Sequence, residues 1–301
     1  LTPDFGHPAM ADQDLELRVR TAMTTQVGES LIERGDLAAA ARALAPDAGH
    51  DRVGWAWQGP MLLVRSRLHA ERGRPAAALA VLLEYGAQER WAGVTNLALA
   101  PWRSQAALAH HALGHREDAL RLAAEELELA HRWGTERSIG VASRCLGVVT
   151  GGAEGASLLG EAVAVLGQSP ARLELARARY ELGAALARTG EAHQARHSLA
   201  RALDLAQACD SVLLAGRARR ALTELGVRPG PVPPPAPSLS MTEHRMLELI
   251  GAGHSDRQIA QALLLTPQDV TVLVGRVART LGATDRADLA DLAARAQGIA
   301  P

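Results

Sequence analysis

Ala and Leu recur along most of this chain between short breaks that carry glycine, and the breaks are evenly spaced. Glycines fall at Gly35, Gly73, Gly114, Gly152 and Gly190, at intervals of 38, 41, 38 and 38 residues. Five residues after each stands a small side chain: Ala40, Ala78, Ala119, Ser157 and Ala195. Seven residues before each stands another: Gly28, Ser66, Ala107, Cys145 and Gly183. A period in this range predicts stacked helix pairs. Glycine ends one helix in a left-handed conformation at no steric cost, and the flanking small residues let the two axes approach. One pair cannot bury its apolar face alone, so neighbours stack into a solenoid. The fourth break, Gly151-Gly152-Ala153-Glu154-Gly155, fits neither a dinucleotide fingerprint nor a P-loop and is read as a loose loop.

The pattern stops at Val227–Ser240, where six of fourteen residues are proline. Such a run lacks helix donors and favours a stiff, extended form, so it is read as a linker, with a ligand for a partner's aromatic groove as the alternative. Beyond it, four helix starts carry capping signals: Ser240 with Glu243, Ser255 with Gln258, Thr266 with Asp269, and Asp285 with Asp288. Pro267 follows one cap directly, where its missing N–H costs nothing. Met246, Leu247, Leu249 and Ile250 point to a small core with Ile259, Ala260 and Leu263, and with Val270, Leu273, Val274, Val277 and Leu281. Only Leu264-Leu265 separates the second of these helices from the third. So short a turn sets them steeply and lets the third protrude toward a major groove.

Two resemblances follow. Over roughly residues 12–226 the small–glycine–small triplet resembles tetratricopeptide repeats, with a longer period and without most of the large aromatics of that consensus. The terminal segment resembles the LuxR-type DNA-binding domain. The match runs through Leu239-Ser240-x-x-Glu243, Ile259-Ala260, Thr266-Pro267-x-x-Val270, Leu281-Gly282 and Arg286-Ala287-x-Leu289. The order of the two also resembles the C-terminal half of the large ATP-binding LuxR-type regulators, which places an ATPase module upstream of Leu1. The expected architecture is therefore all-α: TPR-like repeats over 1–226, a Pro-rich linker over 227–239 and a helix-turn-helix domain over 240–301. In the family, positions matching Thr271, Val272 and Gly275 face the groove. The outward side of that helix adds Gln268, Arg276 and Arg279, while Arg257 and Gln258 at the start of the preceding helix are candidates for phosphate contact.

Composition changes this picture in two ways. Aromatics are 3% of residues with a single Phe, so the core must be built from Ala, Leu and Val, which suits close-packed helices. All 32 basic residues are Arg and the formal net charge is −1, so any electrostatic surface must be local. The segment 238–301 itself holds six Arg against seven Asp or Glu. Phosphate contacts supply most non-specific DNA affinity, so this balance predicts weak binding by a monomer.

Cys145 and Cys209 fit no metal or disulfide spacing, which points to a reducing cytoplasm. No run is apolar enough for a membrane span. His193 and His197 sit one turn apart without a third ligand nearby, so no metal is expected. The five tryptophans between Trp55 and Trp133 either line a groove or pack between early repeats. No nucleophile–base pair or cofactor loop stands out, so neither enzymatic activity nor a cofactor is expected. The leading expectation is a cytoplasmic transcription regulator. Its repeats sense a ligand or protein partner, and its terminal domain binds promoter DNA as a homodimer. The alternative is a TPR-like interaction module whose helix-turn-helix no longer binds DNA.

Overall fold

The computed structural model describes residues 8–45, 55–92, 100–227, 241–263, 265–281, 283 and 286–296. Among them there are helices and turns but no strand. The chain divides into two compact units, Leu1–Pro229 and Gly230–Pro301. Of the Pro-rich stretch 227–239 only Val227 is described, so the expected linker lies outside the described residues.

The first unit contains α1 (Pro8–Glu33), α2 (Leu37–Ala43), α3 (Trp55–Glu71), α4 (Pro75–Ala92), α5 (Trp102–Ala112) and α6 (Arg116–Trp133). It continues with α7 (Glu136–Thr150), α8 (Gly152–Leu166), α9 (Arg172–Arg188), α10 (Ala192–Ala208) and α11 (Val212–Glu224). Each helix packs on the next, and each odd-numbered helix also packs on the odd-numbered helix that follows it. That arrangement is an array of helix pairs.

The breaks work as the glycines predict. Gly35, Gly73, Gly114 and Gly190 adopt φ values of 80°, 69°, 79° and 86°. At each, the N–H of the next residue reaches back to the carbonyl five positions earlier: Asp36 to Leu31, Arg74 to His69, His115 to His110 and Glu191 to Leu186, all at 2.9 Å. This geometry satisfies carbonyls that a helix end otherwise leaves open. A sixth member was not anticipated. Gly226, 36 residues after Gly190, has φ 76°, and Val227 N–H bonds the Leu222 carbonyl at 2.9 Å.

The small residues lie at the crossings in four of five pairs. Ala40, Ala78, Ala119 and Ala195 are at most 1% exposed. A Cβ on Gly28 would stand 2.5 Å from Leu44, and one on Gly183 would stand 2.6 Å from Leu199. The fourth pair differs from expectation. Ser157 is exposed, and the Cys145 thiol turns toward the preceding pair, 3.1 Å from the Ser104 carbonyl. The crossing falls instead at Gly147 and Gly155, where a Cβ on Gly155 would stand 2.4 Å from the Gly147 carbonyl oxygen. The reason is the turn. A single residue, Gly151, separates α7 from α8, against three between α1 and α2, so the register moves by two. The stretch read as a loose loop is a tight turn running into the start of a helix.

The array closes on itself. The Glu33 carboxylate at the end of α1 accepts hydrogen bonds from Arg67 on α3, from Arg177 on α9 at 2.5 Å, and from the Ser211 hydroxyl that caps α11. Arg217 on α11 donates to Glu71 on α3 at 2.5 Å. Leu213 packs into the cluster of Ile32, Leu44, Val64 and Leu68. Trp102 is core: it is 1% exposed, and its indole N–H donates to Glu89 at 2.8 Å. Gly86 makes room for its ring, since a Cβ there would lie 2.4 Å from it. Trp133 is 46% exposed, and the side chains of Trp55, Trp57 and Trp91 lie outside the described residues.

The second unit contains α12 (Met241–Gly251), α13 (Asp256–Leu263), α14 (Pro267–Leu281) and α15 (Arg286–Ala296). Met246, Ile250, Ile259, Ala260, Val270 and Val277 are buried together, with Leu249, Leu263, Leu273, Val274 and Leu281 packed around them. Leu289 and Ala293 of α15 complete this core, at 0% and 2% exposure. The fourth helix is therefore structural here, although Leu292 on it remains 36% exposed.

Candidate nucleic-acid interface

The second unit holds α14 through local chemistry. Thr266 and Asp269 form a reciprocal cap. The Asp269 N–H donates to the Thr266 hydroxyl oxygen at 3.2 Å, while the Thr266 hydroxyl and N–H donate to the Asp269 carboxylate at 2.7 and 3.2 Å. Those bonds lower the Asp269 pKa, the hydroxyl contact most. Pro267 opens the helix at its first position, as the cap requires. At the start of α13 the Ser255 N–H and hydroxyl both donate to the Gln258 side-chain oxygen, at 2.8 and 3.0 Å. The Ser240 and Asp285 caps fall outside the described residues.

With Val270 and Val277 buried, the opposite side of α14 is open. Gln268, Thr271, Val272, Gly275 and Arg276 are all exposed, at spacings that place them along one face. Val272 is 59% exposed, unusual for a valine of a small domain. Gly275 leaves open space, since a Cβ there would meet nothing within 4 Å. Thr271 turns its hydroxyl back to the Pro267 carbonyl at 3.0 Å, and the residue is exposed. Arg257 is exposed at the start of α13. The Gln258 side-chain oxygen is committed to the cap, which leaves its amide N–H groups for an outside acceptor. The side chain of Arg279 lies outside the described residues.

Much of the acidity that weighed against DNA binding is internally engaged. Asp256 pairs with Arg286, whose second nitrogen donates to the His254 carbonyl at 2.6 Å. This contact ties α15 to the α12–α13 turn. Glu248 pairs with Arg245 at 2.6 Å, and Glu243, largely buried, faces Arg276 at 3.7 Å. Asp269 is spent on its cap.

Four helices, two of them joined by a short turn, with one buried on one side and open on the other, have the build of a helix-turn-helix. Residues 237–293 match the family model for GerE, bacterial regulatory proteins of the luxR family. This segment is a LuxR-family helix-turn-helix domain. The motif residues Glu243, Ile259, Ala260, Val270 and Leu289 are its core, and Arg286 is its brace. No curated protein matches the chain. A LuxR-family domain is a DNA-binding regulatory module, and it occupies only the end of this chain. No described helix is long and apolar enough to cross a membrane.

Two features escaped sequence reading. One is the Arg276–Glu243 pair, which joins residues 33 positions apart on α14 and α12. The other is the set of charges gathered where α1, α3, α9 and α11 meet, drawn from positions up to 178 residues apart. No spacing motif announces either.

Proposed function

We propose that this protein is a cytoplasmic transcription regulator that inserts the open face of α14 into the major groove of promoter DNA. Thr271, Val272 and Gly275 stand nearest the base edges, with Gln268, Arg276 and Arg279 beside them, and Arg257 and Gln258 meet the phosphate backbone. An exposed valine and a threonine methyl suit the thymine methyl group, and arginine suits phosphate or guanine. Helix-turn-helix proteins read paired half-sites as dimers, and a homodimer offsets the weak affinity expected of a domain with balanced charge. The helix pairs of the first unit act as tetratricopeptide-like repeats that sense a ligand or protein partner. The carrying observation is the LuxR-family match together with the exposed face of its third helix.

A second reading is an interaction module whose helix-turn-helix has lost DNA affinity. The net charge of its terminal segment favours it. The open face of α14, with Arg257 and Arg276 exposed beside it, argues against it. Binding of the full chain to duplex DNA over a salt series separates the two. A regulator loses affinity steeply with salt, and Arg276→Ala and Arg279→Ala each flatten the log–log slope by about one. Absence of binding at low salt selects the interaction module.

A further inference from the structure

Closure of the helix pairs shapes a partly open cavity of about 600 Å3, within the range of small-molecule sites. Its walls come mainly from the odd-numbered helices α1, α3, α5, α7, α9 and α11. The walls are unusually polar for a helical core, and several of their polar atoms are buried without a hydrogen bond. On α5 and α6 these are the Ser104 hydroxyl and both carboxyl oxygens of Glu126, residues only 3% and 2% exposed. On α3 and α7 they are Arg67 Nη1 and Arg144 Nε. Arg67 Nη1 stands 3.7 Å from Glu29, beyond hydrogen-bond reach, and the 3.6 Å approach of Arg144 to Glu174 is made by Nη2 and leaves Nε unused. Buried polar atoms are nearly always paired, and a set of unpaired ones on residues that line one cavity is a place where a ligand can supply the partners.

The unspent atoms are of two kinds. One group accepts: the Glu126 carboxyl on α6 and the Ser104 hydroxyl on α5. The other donates: two guanidinium nitrogens. We infer that the lumen binds a small zwitterion, its ammonium group held by Glu126 and Ser104 and its carboxylate by Arg144 and Arg67. The inference deepens the sensing role proposed above and rests on that reading for its meaning in regulation.

Charge agrees. Five arginines and six glutamates line the cavity. Burial pushes the Glu126 carboxyl up to about 8; Arg103 lowers it and Glu89 raises it further. At neutral pH it therefore holds its proton while the cavity is empty, which leaves five formal charges of each sign before a ligand arrives. The Glu174 carboxyl stays ionised, because Arg177, Arg144 and Arg137 outweigh its burial and hold it down to about 2. The charged and titratable groups facing Glu126 are Arg103 on α5, Glu89 on α4 and Cys145 on α7. Arg103 pairs with Glu89 at 2.9 Å through Nη2, while its Nη1, without a hydrogen bond of its own, stands 3.9 Å from the Glu126 carboxyl, and burial keeps the Cys145 thiol protonated, its pKa about 12. An arriving ammonium group therefore ionises Glu126, whose proton leaves to solvent.

Calorimetric titration of the full chain with the standard L-amino acids and glycyl dipeptides at pH 7, in two buffers of different ionisation enthalpy, tests this. At least one zwitterion is expected to bind with release of up to one proton. Its N-acetylated and carboxyl-amidated forms are each expected to bind at least tenfold more weakly. Glu126→Gln, close in shape to the protonated acid, should weaken binding at least tenfold and remove the proton release. Arg144→Gln should weaken binding without removing it. Should Glu126→Gln fail to fold by circular dichroism, the blocked ligands and Arg144→Gln decide alone. No binding at millimolar concentration, equal binding of the blocked forms, or unchanged affinity in the folded variants overturns the proposal. Duplex DNA binding by the same preparation reports separately on the regulator reading.

Discussion

The repeat unit draws charge inward, and the helix-turn-helix unit, Glu243 apart, keeps it at the rim. In the first, Glu33, Arg67, Glu174 and Arg177 are gathered where the ends of the array meet, each with at most 19% of its side chain exposed. In the second, Arg245, Glu248, Asp256 and Arg286 form pairs that remain 40% exposed or more. Exposed pairs contribute little, with a median near 0–1 kcal/mol, whereas a buried charge stripped of its partner is costly. The two units should therefore answer differently to the same kind of change. The small domain depends on its apolar core and its caps. The array depends on closure and on backbone approach.

The largest expected effect tests closure. Glu33→Ala leaves Arg67 and Arg177 facing one another and the Ser211 hydroxyl without its acceptor. Thermal or urea unfolding should show a loss of about 3–5 kcal/mol from the repeat unit, the scale for breaking a buried pair from one side. A loss below about 1 kcal/mol would mean that the pairs behave as surface pairs, and the contrast between the units would fail.

A pH series sharpens the same contrast. Glu126 has its pKa raised by burial from 4.5 to about 8, so the folded chain holds a proton that the unfolded chain has already lost. That contribution to stability is fully present below pH 4.5 and is lost as pH rises toward 8. The total is on the order of 5 kcal/mol. Glu126→Gln should remove this decline and be the more stable protein at pH 8. Parallel pH profiles for the two proteins would rule out a buried, protonated Glu126.

Glycines divide the units once more. Gly155→Ala places a methyl 2.4 Å from the Gly147 carbonyl oxygen, and backbone cannot step aside as a side chain can. A loss of about 1–3 kcal/mol is expected from overpacking. Gly275→Ala meets open space on α14 and should gain up to about 1 kcal/mol of helix stability. The sign of the change, read from melting of the two variants, is the observation that matters. The smallest effect is at a cap: Thr266→Ala should cost about 1 kcal/mol.

How much of this was legible in the sequence depends on the range of each interaction. The capping pairs Ser255–Gln258 and Thr266–Asp269 span three residues and could be read directly. So could the core positions of α12 to α14, since helical spacing fixes which residues share a face. The repeat glycines were legible because a left-handed residue has a local signature. Gly226 was passed over because the period shortens there to 36 residues, next to the proline run. The Gly147–Gly155 crossing was missed because a turn shortened by two residues moves the register, and spacing from Gly152 then points to Ser157. Closure through Glu33, Arg177 and Ser211 was not legible at all. It depends on the small rotation from each pair to the next, summed over the array, and no local pattern records that sum. On the candidate interface, the exposed face of α14 was foreseen. The commitment of the Gln258 oxygen to its cap and the pairing of Arg276 with Glu243 were not.

The central claim is that the open face of α14 meets DNA. Fluorescence anisotropy of the full chain on labelled duplex DNA, with salt raised in steps, tests it most directly. The account predicts affinity that falls linearly on a log–log plot and a slope that Arg276→Ala makes shallower by about one. Binding that ignores salt, or a slope that Arg276→Ala leaves unchanged, would contradict it.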